Sequence, residues 1–316
     1  MLETLDCLWY DSPDNDMFRV KGSVCKMINL APALAVLAAA LYAINVPLSK
    51  LLLANVGPAM MAAFLYLGAG LGLLIYSGIG KLLGKTTIKE PLTRKELPYT
   101  IAMVVLDIAA PILLMLGVAR TNSANVSLLS NFEMVATALI ALLVFKEKIS
   151  ARLFAAILLV TLASIILSFE GVGSFSFGVG SLFVLGACTC WGLENNCTKM
   201  ISSKSSVEIV MIKGCFSGSG SFMIALFLGE QIPAYKWLLC VLLLGFVAYG
   251  LSINFYIMAQ KDLGAAKTSA FYSAAPFLGV AFSVILLGER PASQFYAALL
   301  IMLFAAALLI KDMEKE

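Results

Sequence analysis

Hydrophobic residues occur in long runs from Asn29 almost to the C-terminus, and short polar breaks separate these runs. A helix rises about 1.5 Å per residue, so a run of about 20 apolar residues crosses the ~30 Å hydrocarbon core of a bilayer. The pattern predicts an all-α integral membrane protein with ten transmembrane helices. These predicted helices cover residues 30–52, 58–80, 97–118, 122–145, 151–169, 178–200, 206–229, 235–258, 265–287 and 292–311.

The composition agrees with this class of protein. Of 316 residues, 61% are hydrophobic and 13% are charged, which is more apolar surface than a soluble fold can bury. The net charge of +3 is informative only through its distribution. Lys and Arg concentrate in the N-terminal tail, the loop after the second predicted helix and every second connection, which predicts that both termini are cytoplasmic.

The chain also repeats internally. After a shift of 149 residues, YAINVPLSKLL (42–52) aligns with WGLENNCTKMI (191–201) without a gap. Each half holds five predicted helices, an odd number, so the second half must be inverted relative to the first. We therefore expect two inverted five-helix repeats, which in transporters place a substrate site at the midplane between them. The predicted organisation is an N-terminal tail at 1–29, a first repeat at 30–170, a linker at 171–177, a second repeat at 178–312 and a C-terminal tail at 313–316.

The N-terminal tail does not resemble a signal peptide. Its first sixteen residues carry five acidic side chains and no basic one, the reverse of a signal peptide's positive start. It could be a regulatory tail or an extension without a role, and either Met1 or Met27 could be the start of translation.

Four ionisable residues fall well inside apolar runs, namely Asp107, Glu133, Glu194 and Lys213. A charge at the bilayer centre costs at least about 2.5–3.5 kcal/mol on insertion scales, so each needs a partner, a cavity or a neutralising proton. Glu194 and Lys213 lie at similar predicted depths on consecutive helices, and we expect them to form an ion pair. The pair could be structural or could contact substrate.

Glu133 is the strongest single candidate. It lies near the middle of the run from Ser123 to Glu147. In a continuous helix it would share one polar face with other hydrophilic residues, and that face must turn toward protein or water. A carboxylate at this depth suits a group that alternately binds a proton and substrate, although it could instead make a helix-packing hydrogen bond. The polar face would contain Ser123, Ser127, Ser130, Asn131, Glu133 and Thr137.

Prolines predict irregular helices around this site. Pro111 lies four residues after Asp107, so the Asp107 carbonyl loses its helical partner and could join the carboxylate as an acceptor for a cation. Pro47 and Pro276 predict comparable breaks in the two halves. Three interrupted helices would surround a central cavity.

Other polar and aromatic residues share helix faces that could line this cavity, although packing or interfacial anchoring is the commoner role for membrane aromatics. These faces hold Trp191, Glu194, Asn195 and Thr198; Tyr249, Ser252 and Tyr256; and Tyr272, Ser273 and Pro276. Gly68-x-x-x-Gly72 and Gly214-x-x-x-Gly218 predict close helix packing. Glu147 and Glu289 end two helices and are expected to shape loops.

The residue inventory argues against enzymatic and metal chemistry. The chain has no His, and its seven Cys include no C-x-x-C pair; the five in apolar runs are expected to be small buried hydrophobes. A membrane hydrolase would need a nucleophile–base pair or a metal site. No phosphate-binding loop is present, which excludes direct ATP drive by this chain. We expect no cofactor, no metal and no nucleic-acid partner.

Together these features resemble the EamA-type transporters of the drug/metabolite transporter superfamily. The resemblance covers about residues 30–312: two inverted five-helix halves, Trp191-Gly192 opening the sixth helix, and Glu147 and Glu289 ending the fourth and ninth. It implies transport of small metabolites, often export of amino acids, frequently driven by a cation gradient. Two positions depart from the family pattern. Met134 aligns with Pro276, and Asn45 occupies the first-helix position that pairs with Glu194, which itself lies about one turn away from the first-helix Glu that couples protons in the small multidrug relatives.

The sequence thus predicts a secondary active transporter, an exporter of small metabolites such as amino acids, working by alternating access with proton antiport. Three acids against one base at depth favour neutral, zwitterionic or cationic solutes. The alternatives are an exporter of organic amines or drugs, a passive facilitator and a channel. We expect a prokaryotic cytoplasmic membrane, with a homodimer left open. The predicted substrate- and ion-binding residues are Asp107, Asn131, Glu133, Trp191, Glu194, Asn195, Lys213, Tyr249 and Tyr272.

Overall fold

The computed structural model describes residues 30–83, 90–146, 150–168, 178–272, 274–288 and 293–313. Across these ranges the secondary structure is helical, with turns and no β-strand. The first-half helices are α1 Leu30–Ala43, α2 Asn45–Leu52, α3 Pro58–Leu82, α4 Leu97–Arg120, α5 Ser123–Leu129, α6 Phe132–Leu143 and α7 Ala151–Ser168. Those that follow are α8 Val179–Ile201, α9 Ser206–Ile212, α10 Gly218–Phe227, α11 Tyr235–Gly245, α12 Ser252–Leu263, α13 Ala265–Tyr272, α14 Ala274–Leu287 and α15 Ser293–Met313.

Six helical segments in the described ranges are long and apolar enough to cross a membrane. Shorter apolar stretches lie at Ala151–Ala163, Phe277–Leu287 and Phe295–Ala305. Helix α8 spans 23 residues but carries a polar face around Glu194 and Lys199. An all-helical membrane architecture is therefore confirmed, and the ten-span arrangement stays a prediction. The six segments are Leu30–Leu52, Pro58–Leu82, Arg94–Arg120, Asn125–Leu143, Ser206–Phe227 and Tyr235–Leu263.

The helix breaks follow the prolines only in part. The chain breaks between α1 and α2 at Ile44, three residues before Pro47, as predicted. By contrast, α4 runs through Pro111 without interruption, so the expected break there is wrong. A proline removes only one backbone donor, and extensive packing of α4 on α8 can hold such a helix together. The third predicted break came from Pro276, which lies in the first turn of α14, and Ser273 just before that helix is outside the described residues.

The predicted helix over 122–145 is divided in two, which corrects the expectation of one continuous polar face. At the break, the N–H groups of Asn131, Glu133 and Met134 bond to carbonyls three residues back, as in a 3₁₀ turn. Ser130 donates its hydroxyl to the Val126 carbonyl at 2.9 Å. Ser and Asn side chains compete with helical backbone bonds, which explains why the break falls here. Glu133 consequently lies in the first turn of α6.

Two short π-helical segments, Lys213–Ser217 and Phe246–Leu251, interrupt the apolar helices of the second half. Hydrophobic periodicity did not predict them. Both segments pack against α3, and π-helical turns frequently occur at functional sites. They set the register of Lys213 and Tyr249, whose side chains point into the interior described below.

Glycines bring α3 and the Lys213–Ser217 segment into backbone contact, which confirms the packing role predicted for the glycine motifs. A Cβ atom on Gly214 would overlap the backbone of Gly70, and one on Gly218 would press on Leu67. On the other side of α3, a Cβ on Gly68 would overlap the Leu242 carbonyl. Small residues permit such close approach between membrane helices.

Gly214→Ala should therefore destabilise the protein. Overpacking a tight core typically costs about 1–3 kcal/mol, and here the obstacle is backbone that cannot rotate away. Gly78→Ala is the matched control, because a Cβ there meets nothing within 4 Å. Thermal unfolding of the detergent-solubilised variants should show a lower midpoint for Gly214→Ala only. Equal midpoints would contradict the contact.

The aligned segments of the two halves make equivalent side-chain bonds. In α2, Ser49 donates its hydroxyl to the Asn45 amide oxygen one turn earlier, at 3.1 Å. In α8, the aligned Thr198 donates to Glu194, one turn earlier in the same way.

The next residue in each half is a lysine, and the two lysines also bond equivalently. Lys50 Nζ donates to the carbonyls of Val118 and Thr121, at 2.6 and 2.9 Å, at the end of α4. Lys199 Nζ donates to the carbonyls of Gln260 and Lys261, at 2.8 and 3.1 Å, in the last turn of α12. A lysine ammonium placed there adds a donor and a positive charge to carbonyls at the C-terminal end of a helix.

Candidate functional site

A small cavity lies among α1, α3, α4, α6, α8, α12, α13 and the two π-helical segments. Eight of the nine predicted site residues line it, and the ninth, Asn131, lines a smaller adjoining space with Tyr42, Glu133 and Tyr272. The cavity-lining residues are Tyr42, Tyr66, Asp107, Glu133, Trp191, Glu194, Asn195, Thr198, Lys213, Tyr249, Ile253, Tyr256 and Tyr272.

An ionic cluster occupies one side of the cavity. The Lys213 ammonium lies 2.8 Å from Glu194 Oε1 and 3.3 Å from Asp107 Oδ2. All three side chains are at most 4% exposed. The predicted Glu194–Lys213 pair is therefore confirmed, and Asp107 joins it as a third member that sequence reasoning placed only by depth.

Neutral side chains complete the ionic cluster. Tyr66 donates its hydroxyl to Asp107 Oδ1 at 2.7 Å and accepts a bond from Trp191 Nε1 at 3.4 Å. Thr198 donates to Glu194. The second carboxylate oxygen of Asp107 has no neutral hydrogen-bond donor within the described residues, and its close partner is the Lys213 ammonium at 3.3 Å. A buried ion pair is stable only when such partners offset the cost of desolvation.

Glu133 has a different environment. Its Oε1 accepts a hydrogen bond from Asn195 Nδ2 at 2.8 Å, and the same amide contacts Thr137 Oγ1 at 3.2 Å. No described basic side chain lies within 4.0 Å of its carboxylate. Glu133 is half-buried because one side faces the cavity. Asn195 thus positions a carboxylate that keeps acceptor capacity for a ligand, and it also links α6 to α8.

Tyrosines form much of the remaining lining of the cavity. The ring of Tyr42 lies edge-on to that of Tyr249, with the ring centroids 5.6 Å apart. The centroids of Tyr42 and Tyr272 are 5.5 Å apart. Tyr249 contacts Tyr66 at 5.1 Å, and Tyr256 contacts Tyr272 at 5.0 Å. Aromatic faces attract ammonium groups. A carboxylate beside such rings is therefore suited to a solute with one positive charge and an apolar body.

Two of these tyrosines were missed as site residues. The shift of 149 residues aligns Tyr42 with the predicted Trp191, and this equivalence was the available signal. Tyr66 lies in an apolar stretch with no polar neighbour in sequence, so nothing in the pattern marked it. It acts through Asp107, which lies on another helix.

The remaining predicted residues lie at the margin of the cavity or outside it. Asn131 points its amide nitrogen at Met302 Sδ, 3.2 Å away. Ser252 donates to the Ala38 carbonyl at 2.8 Å and is not a cavity-lining residue. Ser273, Glu147 and Glu289 lie outside the described residues.

The described ranges contain no group of three or more His, Cys, Asp or Glu side chains arranged to hold a metal ion. Cys188 and Cys197 are buried, as predicted for small hydrophobic side chains. Cys240 is exposed on α11, which corrects that prediction for this residue. A thiol on a lipid-facing position stays in an apolar environment without burial in the protein.

Comparisons with known proteins place the chain in a family. The model of the EamA-like transporter family matches twice, over residues 29–169 and 178–311. An uncharacterised transporter from Methanothermobacter thermautotrophicus is 24% identical over 265 residues, which cover 78% of this chain and 76% of the relative. A crystal structure of a protein that is 15% identical has the same fold, with a TM-score of 0.68 over 88% of this chain and 94% of its own.

The family and this relative point to a transporter rather than an enzyme. The chain is a multi-pass membrane protein that belongs to the EamA-like transporter family, within the drug/metabolite transporter superfamily.

Proposed function

We propose that this protein is a secondary active transporter that exports small metabolites such as amino acids by alternating access, in exchange for protons. The observation that carries the proposal is the position of Glu133. Its carboxylate has no described basic partner, faces a tyrosine-lined cavity and is held by the Asn195 amide. A partly buried acid without a basic partner inside a membrane protein is the kind of group that takes up a proton or a cationic ligand.

The proposed architecture is ten transmembrane helices in two inverted repeats, at residues 30–170 and 178–312. The family model matches once in each of these halves. Lys50 and Lys199, which align in the two halves, each bond to the carbonyls at the end of another helix. These features support a repeat whose halves make the same contacts, as rocking of one half against the other requires.

Coupling follows from competition at one carboxylate. Glu133 can hold a proton or a substrate ammonium, but not both at once. If the site opens alternately to the two sides of the membrane, each crossing carries one or the other, and the net result is antiport. Asn195 donates to the carboxylate and orients it.

The charge of the cavity favours zwitterionic or cationic solutes. Its lining includes three acids, Asp107, Glu133 and Glu194, against the single base Lys213. An anionic solute such as a sugar phosphate would need more basic side chains. Three lysines near helix ends, Lys50, Lys199 and Lys267, could reach inward, and the first two direct their ammonium groups to helix-end carbonyls. Amino acids are the leading substrate class and organic amines or drugs the second.

The remaining elements of the proposal concern cellular context. We propose a prokaryotic cytoplasmic membrane with both termini in the cytoplasm, on the distribution of Lys and Arg. The proposed partners are the lipid bilayer and a small-molecule solute, without nucleic acid, and a homodimer is compatible with the proposal.

Counterflow in proteoliposomes tests this function. Liposomes loaded with one unlabelled amino acid should transiently accumulate the same labelled amino acid from outside, and the initial rate should saturate with concentration. A carrier gives this result because its binding site crosses the membrane in both directions with substrate bound. A channel has no such reorienting site and does not give it. Uptake that stays linear with concentration would indicate a channel, and counterflow by amines alone would indicate the second substrate class.

A further inference from the structure

Asp107 and Glu194 form a cation site whose occupant is part of the chain. They lie on different helices, α4 and α8, yet both carboxylates converge on the Lys213 ammonium, at 3.3 and 2.8 Å. Asp107 Oδ2 is fully buried, and apart from the Lys213 ammonium it has no close polar partner in the described ranges, so this oxygen depends on the lysine. A carboxylate in this position requires a cation at close range.

The position of the lysine backbone accounts for this occupancy. Lys213 begins a π-helical segment, and the next residue, Gly214, lies in contact with the backbone of Gly70 and the carbonyl of Tyr66. The backbone is therefore fixed against α3, and the flexible side chain delivers its ammonium to the two acids. Lys213 is 3% exposed, so the surrounding protein encloses its aliphatic stem.

The cation site opens onto the same cavity as Glu133. Glu194 and Asn195 are consecutive on α8: the first holds Lys213, and the second donates to Glu133. The two carboxylate sites are therefore adjacent, but only one of them contains a built-in ammonium.

We propose that Lys213 is a tethered cation that fills an ammonium subsite formed by Asp107 and Glu194, and that it thereby limits the transported solute to one ammonium group, bound at Glu133. The predicted selectivity for solutes with one ammonium group rests on the proposed transport function. The ammonium subsite formed by Asp107 and Glu194 does not depend on that function. A solute with a second ammonium has no acidic partner left for it in the wild-type cavity. Removal of the lysine ammonium exposes a site that such a solute can use.

Chemical rescue tests the subsite without any transport assay. Lys213→Ala retains the Cβ atom and removes the equivalent of propylammonium. We expect propylammonium to raise the thermal unfolding midpoint of this variant by several degrees, since a ligand that binds only the folded state stabilises it. Propanol at the same concentration should have no such effect. Lys236→Ala, which removes an exposed lysine next to Trp237, is the control and should not respond to either compound.

The same measurement is made on Lys213→Ala/Asp107→Asn, which leaves only one uncompensated carboxylate and folds more readily. Both variants should prefer propylammonium over propanol. An equal response to the two compounds, or an equal response of the wild type, would overturn the subsite.

Transport selectivity then tests the consequence for substrates. The matched pairs are norleucine with lysine and hexylamine with hexanediamine, which differ by one ammonium group. The wild type should prefer the singly aminated member by at least about tenfold, which corresponds to about 1.4 kcal/mol. Lys213→Ala should reduce or reverse that preference.

Equal wild-type uptake within each pair would contradict the selectivity and leave the proposed function intact. If propylammonium stabilises the Lys213→Ala variant but the wild type transports no member of either pair, the proposed function is contradicted and the subsite is not.

Discussion

Replacement of Glu133 with Gln is expected to lower substrate transport by about 100-fold, because a hydrogen bond to a charged group contributes about 1.5–3 kcal/mol and each 1.4 kcal/mol is a factor of ten. The amide has nearly the same shape and still accepts the bond from Asn195, so folding should be preserved. It can neither take up a proton nor neutralise an ammonium group. The rates are measured as initial uptake into proteoliposomes at matched protein content.

Glu208→Gln is the matched control for this substitution. Glu208 is also partly buried and also accepts one hydrogen bond, from the Leu92 backbone N–H at 2.8 Å, but it does not line the cavity. Its variant should transport at the wild-type rate. If Glu133→Gln transported normally under a proton gradient, Glu133 would not be the coupling residue, and its bond to Asn195 would be a packing contact only.

Replacement of Lys213 with Met is expected to destabilise the protein by about 3–5 kcal/mol, the typical cost of removing one partner of a buried ion pair. The loss of packing is small because Met is similar in length to the lysine stem. The cost comes from leaving Asp107 and Glu194 close together without a positive charge between them. Unfolding midpoints in detergent, compared with the wild type at the same pH, measure the effect.

A compensating substitution separates charge from packing in the Lys213→Met variant. Lys213→Met/Asp107→Asn removes one of the two uncompensated acids, and Asn can still accept the hydroxyl bond of Tyr66. The double variant should recover part of the lost stability. If it unfolds as readily as the single variant, the effect of Lys213→Met lies in side-chain packing rather than in the ionic cluster.

Much of the architecture could be predicted because membrane helices are encoded by local composition. Run length identified the helices, and the helical period correctly grouped Trp191, Glu194, Asn195 and Thr198 on one cavity-lining face of α8. Depth within each run was enough to pair Glu194 with Lys213, since these residues lie on consecutive helices.

Lateral packing could not be predicted in the same way. Depth shows how far a residue lies across the membrane but not which helix is beside it, so Asp107 was not expected to reach Lys213. That contact requires α4 to pack against the Lys213–Ser217 segment. Tyr66 was missed for the same reason, because its partner Asp107 lies on another helix.

Local irregularity of the backbone was the second feature that could not be predicted from the sequence. The 100° period assumes a continuous α-helix, and the turn at Ser130–Asn131 breaks that assumption just before Glu133. The π-helical segments at Lys213 and Phe246 pack on α3, and the apolar period of the sequence contains no signal for them. In all three places the irregular backbone positions residues that line the cavity or its adjoining space.

The most direct test of the account is accumulation of a labelled amino acid by proteoliposomes with an acidic lumen. Proton-coupled exchange through Glu133 predicts that the solute reaches a higher concentration inside than outside, that the lumen becomes more alkaline as it does so, and that a protonophore abolishes the accumulation. Glu133→Gln should fail to accumulate it. If the wild type equilibrates the solute to equal concentrations whether or not the proton gradient is present, the protein is a passive facilitator and the coupling assigned to Glu133 is wrong.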